Sequence, residues 1–135
     1  MASTDIIEYI AIDTLGNATD FGNLNNNAHY CSSCSNGTRG LFMGGSGDAS
    51  DLDVIDYITI ASLGNASDFG DLTDDRDDAK ALSDGTKGCL GGGPSGAGTT
   101  DTIDYVNIAS LGNASDFGNL TANTQSPSTC SGNIS

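Results

Sequence analysis

The chain has no tryptophan, a single histidine, and only 4 lysines and arginines against 18 aspartates and glutamates. Each shortage excludes something. Nucleic-acid binding depends on Lys and Arg neutralising backbone phosphates, and a formal net charge of −14 opposes that contact and contact with an anionic membrane surface alike. His29 cannot supply a multi-histidine metal centre, and nothing recurs around it to build a nucleophilic triad, which sets a histidine between a Ser or Cys and an orienting acid. It reads as an ordinary strand or loop residue. No apolar run reaches the length of a membrane-spanning helix, and the first four residues lead into a strand without the charged and apolar regions of a secretion signal. A soluble chain is expected. Four cysteines without such a signal do not announce a disulfide framework. With 36% hydrophobic residues and 19 glycines in 135 positions, the apolar content is thin for an independent core, and self-association is the expected remedy.

What the chain has instead is repetition. Residues 5–24 return almost verbatim as 53–72 and again as 101–120, each copy 48 residues after the last. Residues 37–45 fall in register with 85–93, while the third copy stops before this element at a remnant around Cys130. The units are therefore about 5–52, 53–100 and 101–135 of one repeat domain. A regular period of this length marks a unit that cannot bury its own apolar face, so copies stack or close around a shared core.

Within a unit, residues 53–60 alternate Ile55, Tyr57 and Thr59 against Val54, Asp56, Ile58 and Ile60. Both faces carry β-branched or aromatic groups, the mark of a strand held between two layers. Residues 63–67 form a turn, for which Gly64 and Asn65 offer tolerance of positive φ. A short strand at 68–72 is anchored by Phe69 and Leu72, and 79–83 and 86–90 give two more. Four short antiparallel strands in about 45 residues is the size of a propeller blade.

A strand ending in a glycine pair (Gly44 and Gly45; Gly91 and Gly92) is followed by a strand with an acidic-aromatic pair (Glu8 and Tyr9; Asp56 and Tyr57; Asp104 and Tyr105), then by a short outer strand with an aromatic (Phe21, Phe69, Phe117). This order resembles the kelch repeat, and the wording of residues 55–93 is similar to kelch-like repeats in structural proteins of tailed bacteriophages. The resemblance implies an all-β fold of kelch-like propeller blades, with Arg76 where such blades often carry Arg and Ala28 and Thr124 at the equivalent places. Read in that order, two complete blades occupy about 28–73 and 76–121, flanked by two outer strands at 5–24 and one inner strand near 128–131. Pairing these complementary ends between chains would hide two exposed edges, giving a ring if it closes and a filament if it does not.

Several residues invite a chemical role. Cys31 and Cys34 have C-x-x-C spacing, but no second ligand pair accompanies them, and the repeat equivalents of Cys34 are Leu82 and Cys130, so a small packing group is the better reading. The acidic run 74–78 contains the carboxylates Ca²⁺ prefers without the spacing of a calcium loop, and reads as a solvated loop. The recurring acids Glu8, Asp56 and Asp104, and Asp20, Asp68 and Asp116, must do the same job in every unit. Capping turn amides or bonding a neighbouring strand are such jobs; a ligand ring around a central channel is the functional alternative. Asn17, Asn65 and Asn113 head glycosylation-type triplets inside the repeated turn, where turn chemistry accounts for them.

No catalytic, cofactor or metal site is expected. The resemblance implies a structural protein of the phage virion, a capsid decoration or tail or fibre component on the particle surface, homo-oligomeric through inter-chain strand pairing and in contact with other virion proteins. The alternative is a multivalent carbohydrate-binding module for host-surface glycans, in which repeated weak sites gain avidity.

Overall fold

The computed structural model describes residues 4–131, and these contain strands, turns and bends with no helix. Strands β1 (Thr4–Tyr9) and β2 (Thr19–Ala28) form a two-stranded antiparallel sheet. Next come β3 (Ser32–Ser35), β4 (Arg39–Met43), β5 (Val54–Thr59) and β6 (Ser67–Asp71), which pair in chain order as a four-stranded antiparallel sheet. The same sheet is built again from β7 (Lys80–Ser83), β8 (Lys87–Gly91), β11 (Thr102–Asn107) and β12 (Ser115–Asn119). Between β8 and β11 sits a small hairpin, β9 (Pro94–Ser95) with β10 (Gly98–Thr99), which the sequence pattern did not indicate. The two four-stranded sheets fall within residues 28–73 and 76–121, so each takes two strands from one repeat unit and two from the next, and none of the sheets closes on itself.

Local chemistry explains the turns. Asn36 Oδ1 accepts from the backbone N–H groups of Thr38 and Arg39 at 3.0 and 2.8 Å, and Asp84 Oδ1 accepts from Thr86 and Lys87 at 2.8 and 2.7 Å. A short polar side chain thus satisfies the amides of each β3–β4-type reversal. After β4 the chain passes through Gly44 and Gly45 at φ 61° and 108°, where a Cβ on Gly44 would stand 2.5 Å from the Arg76 carbonyl oxygen. The equivalents are Gly92 and Gly93, at φ 66° and 96°. That corrects the glycine pair expected from the sequence: Gly91 is the last residue of β8, and it is the second and third glycines of the run that hold the left-handed turn.

A second correction concerns residues 128–131, expected as an inner strand. No strand forms there among the described residues. The segment lies beside β7 through side chains, with Thr129 Oγ1 donating to Ala81 O at 2.9 Å and Ser83 N donating to Ser131 Oγ at 3.0 Å. No described strand stands on its other side to pair with it.

The core is sandwiched between sheets. On the face of the first sheet turned to the second, Leu41, Met43, Ile55, Phe69 and Leu72 pack with Leu90, Val106 and Ile108. On the opposite face, Phe42 and Ile58 pack against Ile7 and Phe21 of the β1–β2 sheet. The two-sided apolar pattern of β5 is satisfied in this way. Among the described residues no third sheet lies against the outward face of the second, and there Leu82, Cys89, Ile103, Leu120 and the segment 127–130 line a groove of about 310 Å³.

Candidate functional site: the contact between repeat units

The residues that recur at the 48-residue period converge where one unit meets the next. Asp56 lies on β5 with its side chain toward the preceding sheet, and it is buried. Its Oδ2 accepts from Asn25 N at 2.9 Å and its Oδ1 from Asn25 Nδ2 at 2.6 Å. One period later, Asp104 Oδ2 accepts from Thr73 N at 3.0 Å and Oδ1 from Thr73 Oγ1 at 2.7 Å. The acid therefore bonds the end of the preceding unit's outer strand, one of the jobs its recurrence suggested. Charge-assisted bonds of this type are stronger than neutral ones, and the burial they require removes competing water. Glu8, the third member, is exposed.

The second unit adds a cation to this contact. Arg76 Nη2 meets Asp104 Oδ2 at 2.7 Å with both side chains completely buried, and Nη1 donates to Thr102 O at 3.1 Å. A buried guanidinium is tolerated only when paired and hydrogen-bonded. Here the pairing crosses the unit boundary, which the kelch-like placement of Arg76 did not reveal.

A backbone contact lies beside the acid. Gly64 N donates to Phe21 O at 2.9 Å, Ala66 N to Asn23 O at 2.8 Å, and Asn23 N to Asn65 Oδ1 at 3.1 Å. The next boundary repeats it: Gly112 N to Phe69 O at 2.9 Å, Ala114 N to Asp71 O at 2.7 Å, and Asp71 N to Asn113 Oδ1 at 3.2 Å. The turn asparagines thus serve as side-chain acceptors for the preceding strand. Neither Asn65 nor Asn113 has positive φ, which corrects the expectation that they were chosen for a left-handed turn. The approach is so close that a Cβ on Gly22 would lie 2.3 Å from Gly64 O, and one on Gly70 2.5 Å from Gly112 O.

The recurring aromatics form one packed pair per unit. Ring centroids are 6.1 Å apart for Tyr9 and Phe21, 6.0 Å for Tyr57 and Phe69, and 5.8 Å for Tyr105 and Phe117, all near edge-to-face. This is the geometry favoured by ring quadrupoles. Arg39 covers Tyr57 at 4.9 Å, and Lys87 covers Tyr105 at 4.8 Å. Of the acids at 20, 68 and 116, Asp116 caps Gly118 N at 2.8 Å, and all three stand as the second residue of an outer strand.

The remaining candidates stay apart from this contact. No group of three or more His, Cys, Asp or Glu capable of holding a metal occurs among the described residues, the acidic run 74–78 included. In that run the side chain of Asp78 is held below the usual carboxylate range by hydrogen bonds from Lys80 and Ser126, while loss of hydration, with nearby Asp51 adding, raises Asp75 and Asp77. All four cysteines are free thiols. Burial, with Cys89 nearby, pushes Cys34 up to about 11, and burial also raises Cys31 and Cys89, so these thiols are poor nucleophiles and ligands. His29 stacks edge-on against Tyr30 at 4.8 Å. Tyr30 and Asp78, one period apart, both have positive φ and are joined by a bond from Asp78 N to Tyr30 O at 3.1 Å, so the strained conformation belongs to the repeat.

No protein-family model matches the chain, and no curated protein matches it.

Proposed function

We propose that the chain is a structural protein of a tailed bacteriophage particle, a capsid decoration or a tail or fibre component exposed on the surface. In this reading its repeat units are kelch-like propeller blades, and several chains together complete the ring or assembly. One observation carries the proposal: at both internal boundaries between repeat units, recurring side chains fix one unit to the next. Asp56 and Asp104, and Asn65 and Asn113, bond across these boundaries, and Phe21 and Phe69 are buried beneath the following unit, while the equivalent Glu8, Asn17 and Phe117 at the outer faces are exposed. The strongly acidic surface and the phage-like wording of the repeat agree with a particle component that meets other virion proteins. Mass spectrometry of purified particles of the encoding phage tests this directly: the polypeptide is expected at stoichiometric abundance, and its absence from the particle sinks the proposal.

A second reading has one observation in its favour. Tyr30 is 55% exposed and presents an aromatic face beside His29, as a sugar-stacking platform would. A carbohydrate-binding module attaching to host-surface glycans is tested on a glycan array with the full chain and its Tyr30→Ala variant. Retention lost in the variant supports it, and no retention by either chain rejects it.

A further inference from the structure

The contact between units is made of two different halves. The trailing half belongs to an outer strand: two carbonyls, one amide, an aromatic ring and a hydroxyl or amide side chain at its end. The leading half belongs to the following unit: a recessed acid, an isoleucine, and the Gly-Asn-Ala turn. Two complete contacts of this kind exist among the described residues, and one further copy of each half lies unfilled by them.

The unfilled trailing half is on β12. Phe117 is 57% exposed, whereas its equivalents Phe21 and Phe69 are 7% and 3% exposed under the following unit. A Cβ on Gly118 would have nothing within 4 Å, in contrast to Gly22 and Gly70. Thr121 occupies the position of Thr73, which bonds the acid at the filled boundary. Beside it lies the apolar groove of about 310 Å³ on the outward face of the second sheet. The corresponding face of the first sheet is filled by the second sheet.

The unfilled leading half is on β1 and the loop after it. Ile12 is 94% exposed, whereas Ile108, its equivalent, is completely buried against the preceding sheet and its carbonyl accepts from Arg39 Nη1 at 3.0 Å. Glu8, Gly16, Asn17 and Ala18 are exposed, and among the described residues Asn17 makes no side-chain hydrogen bond, while Asn65 and Asn113 do.

We infer that the face formed by Phe117, Asn119, Thr121 and the groove at Ile103 docks the β1 strand and the 16–18 turn of a second copy of this chain, repeating the internal contact between chains. By equivalence, Gly16 N of the second copy donates to Phe117 O, Ala18 N donates to Asn119 O, and Asn17 Oδ1 accepts from Asn119 N. Thr121 then donates to Glu8, and Ile10 and Ile12 enter the groove. The occupant is a second copy because the chain carries the complementary half in the same sequence wording, and both buried boundaries show how the halves fit. The contact joins different surfaces of the two partners, so it propagates head to tail, as a closed ring or a filament. This differs from pairing of exposed strand edges: a turn lies over an outer strand, and sheet faces pack.

The inference is independent of which particle carries the protein, since it concerns the purified chain. Sedimentation velocity of the full chain at micromolar concentration is expected to show oligomers. Ala18→Arg places a large cation in the turn that must lie against β12, and Ile12→Asp puts a charge into the groove. Both residues are exposed in the single chain, so folding by circular dichroism is expected to be retained. Each variant is expected to weaken self-association by about tenfold or more, the effect of losing one buried contact. In the unmodified chain, hydrogen exchange at Gly16 and Ala18 amides is expected to slow as concentration rises. A monomeric unmodified chain, an oligomer indifferent to both substitutions, or exchange at these amides that ignores concentration each overturns the inference.

Discussion

Arg76 and Asp104 meet at 2.7 Å with neither side chain reached by solvent, and they belong to different repeat units. The boundary between the first and second units has Ala28 in place of the arginine and manages with Asn25 on Asp56 alone. The ion pair is therefore an addition to a contact that works without it. Once present it is hard to dismantle by halves, because removing one partner strands a buried charge.

Arg76→Met is accordingly expected to destabilise the chain by about 3–5 kcal/mol, the usual loss when one member of a buried pair is removed. Adding Asp104→Asn should restore a large part of it, since the amide oxygen still accepts from Thr73 and no charge remains. Urea denaturation of the single and double variants measures this. Equal stability of the two variants would show that charge burial is not the source of the loss.

The unit contact also predicts a difference between two glycines of nearly the same backbone geometry. Gly70 has φ 148° and Gly118 has φ 141°, so a methyl group strains the backbone about equally at both. Only at Gly70 does the added Cβ run into a carbonyl of the following unit, at 2.5 Å. Gly70→Ala should cost on the order of 1–3 kcal/mol more than Gly118→Ala, the penalty typical of overpacking. The comparison belongs in the Ile12→Asp background, so that self-association does not mask it, and similar midpoints in urea would refute it.

Cys34 gives the protein an alkaline weakness. Its thiol holds its proton up to about 11 in the fold, against an ordinary value of 9.0. The resulting stabilisation is fully present below pH 9.0 and is lost as pH rises toward 11. Thermal melts across that window should fall less for Cys34→Ala, which has no proton to lose there. At pH 8, peptide mapping after iodoacetamide treatment should find exposed Cys130 modified well before Cys34. Modification of Cys34 first would contradict its burial.

The 48-residue repeat was legible in the chain, and so were the four strands of each four-stranded sheet. Alternation of Ile55, Tyr57 and Thr59 with Val54, Asp56 and Ile58 marked β5 to within a residue at each end, because a strand buried on two faces leaves little room for polar groups. The turn at 36–39, where Asn36 Oδ1 accepts from the amides of Thr38 and Arg39, was not read from the sequence, because Asn36 stands there in a triplet that suggests other chemistry. The hairpin of β9 and β10 was not legible: Gly91, Gly92 and Gly93 read as the end of the preceding strand, and the two-residue strands beyond them are too short to show an alternating pattern. The segment around Cys130 misled for the opposite reason. It has strand-like wording, but a strand exists only where a neighbour supplies backbone partners.

By itself the sequence determined the period, the strands within it, the two-sided apolar faces and the positions at which every unit must do the same work. It also determined the acidic character of the chain, a formal net charge of −14. Only the tertiary structure decided which recurring residues meet. Asp56 finds Asn25 and Asp104 finds Thr73 31 residues back, while Asn65 and Asn113 reach 42 residues back to the amides of Asn23 and Asp71. A repeat reveals equivalence between positions one period apart, whereas a contact between units joins positions that are not equivalent. Their separation is set by how far one sheet is displaced against the next. That displacement is a property of packing, fixed by Leu41 and Ile55 fitting against Leu90 and Ile108, and it has no signature in the spacing of residues along the chain.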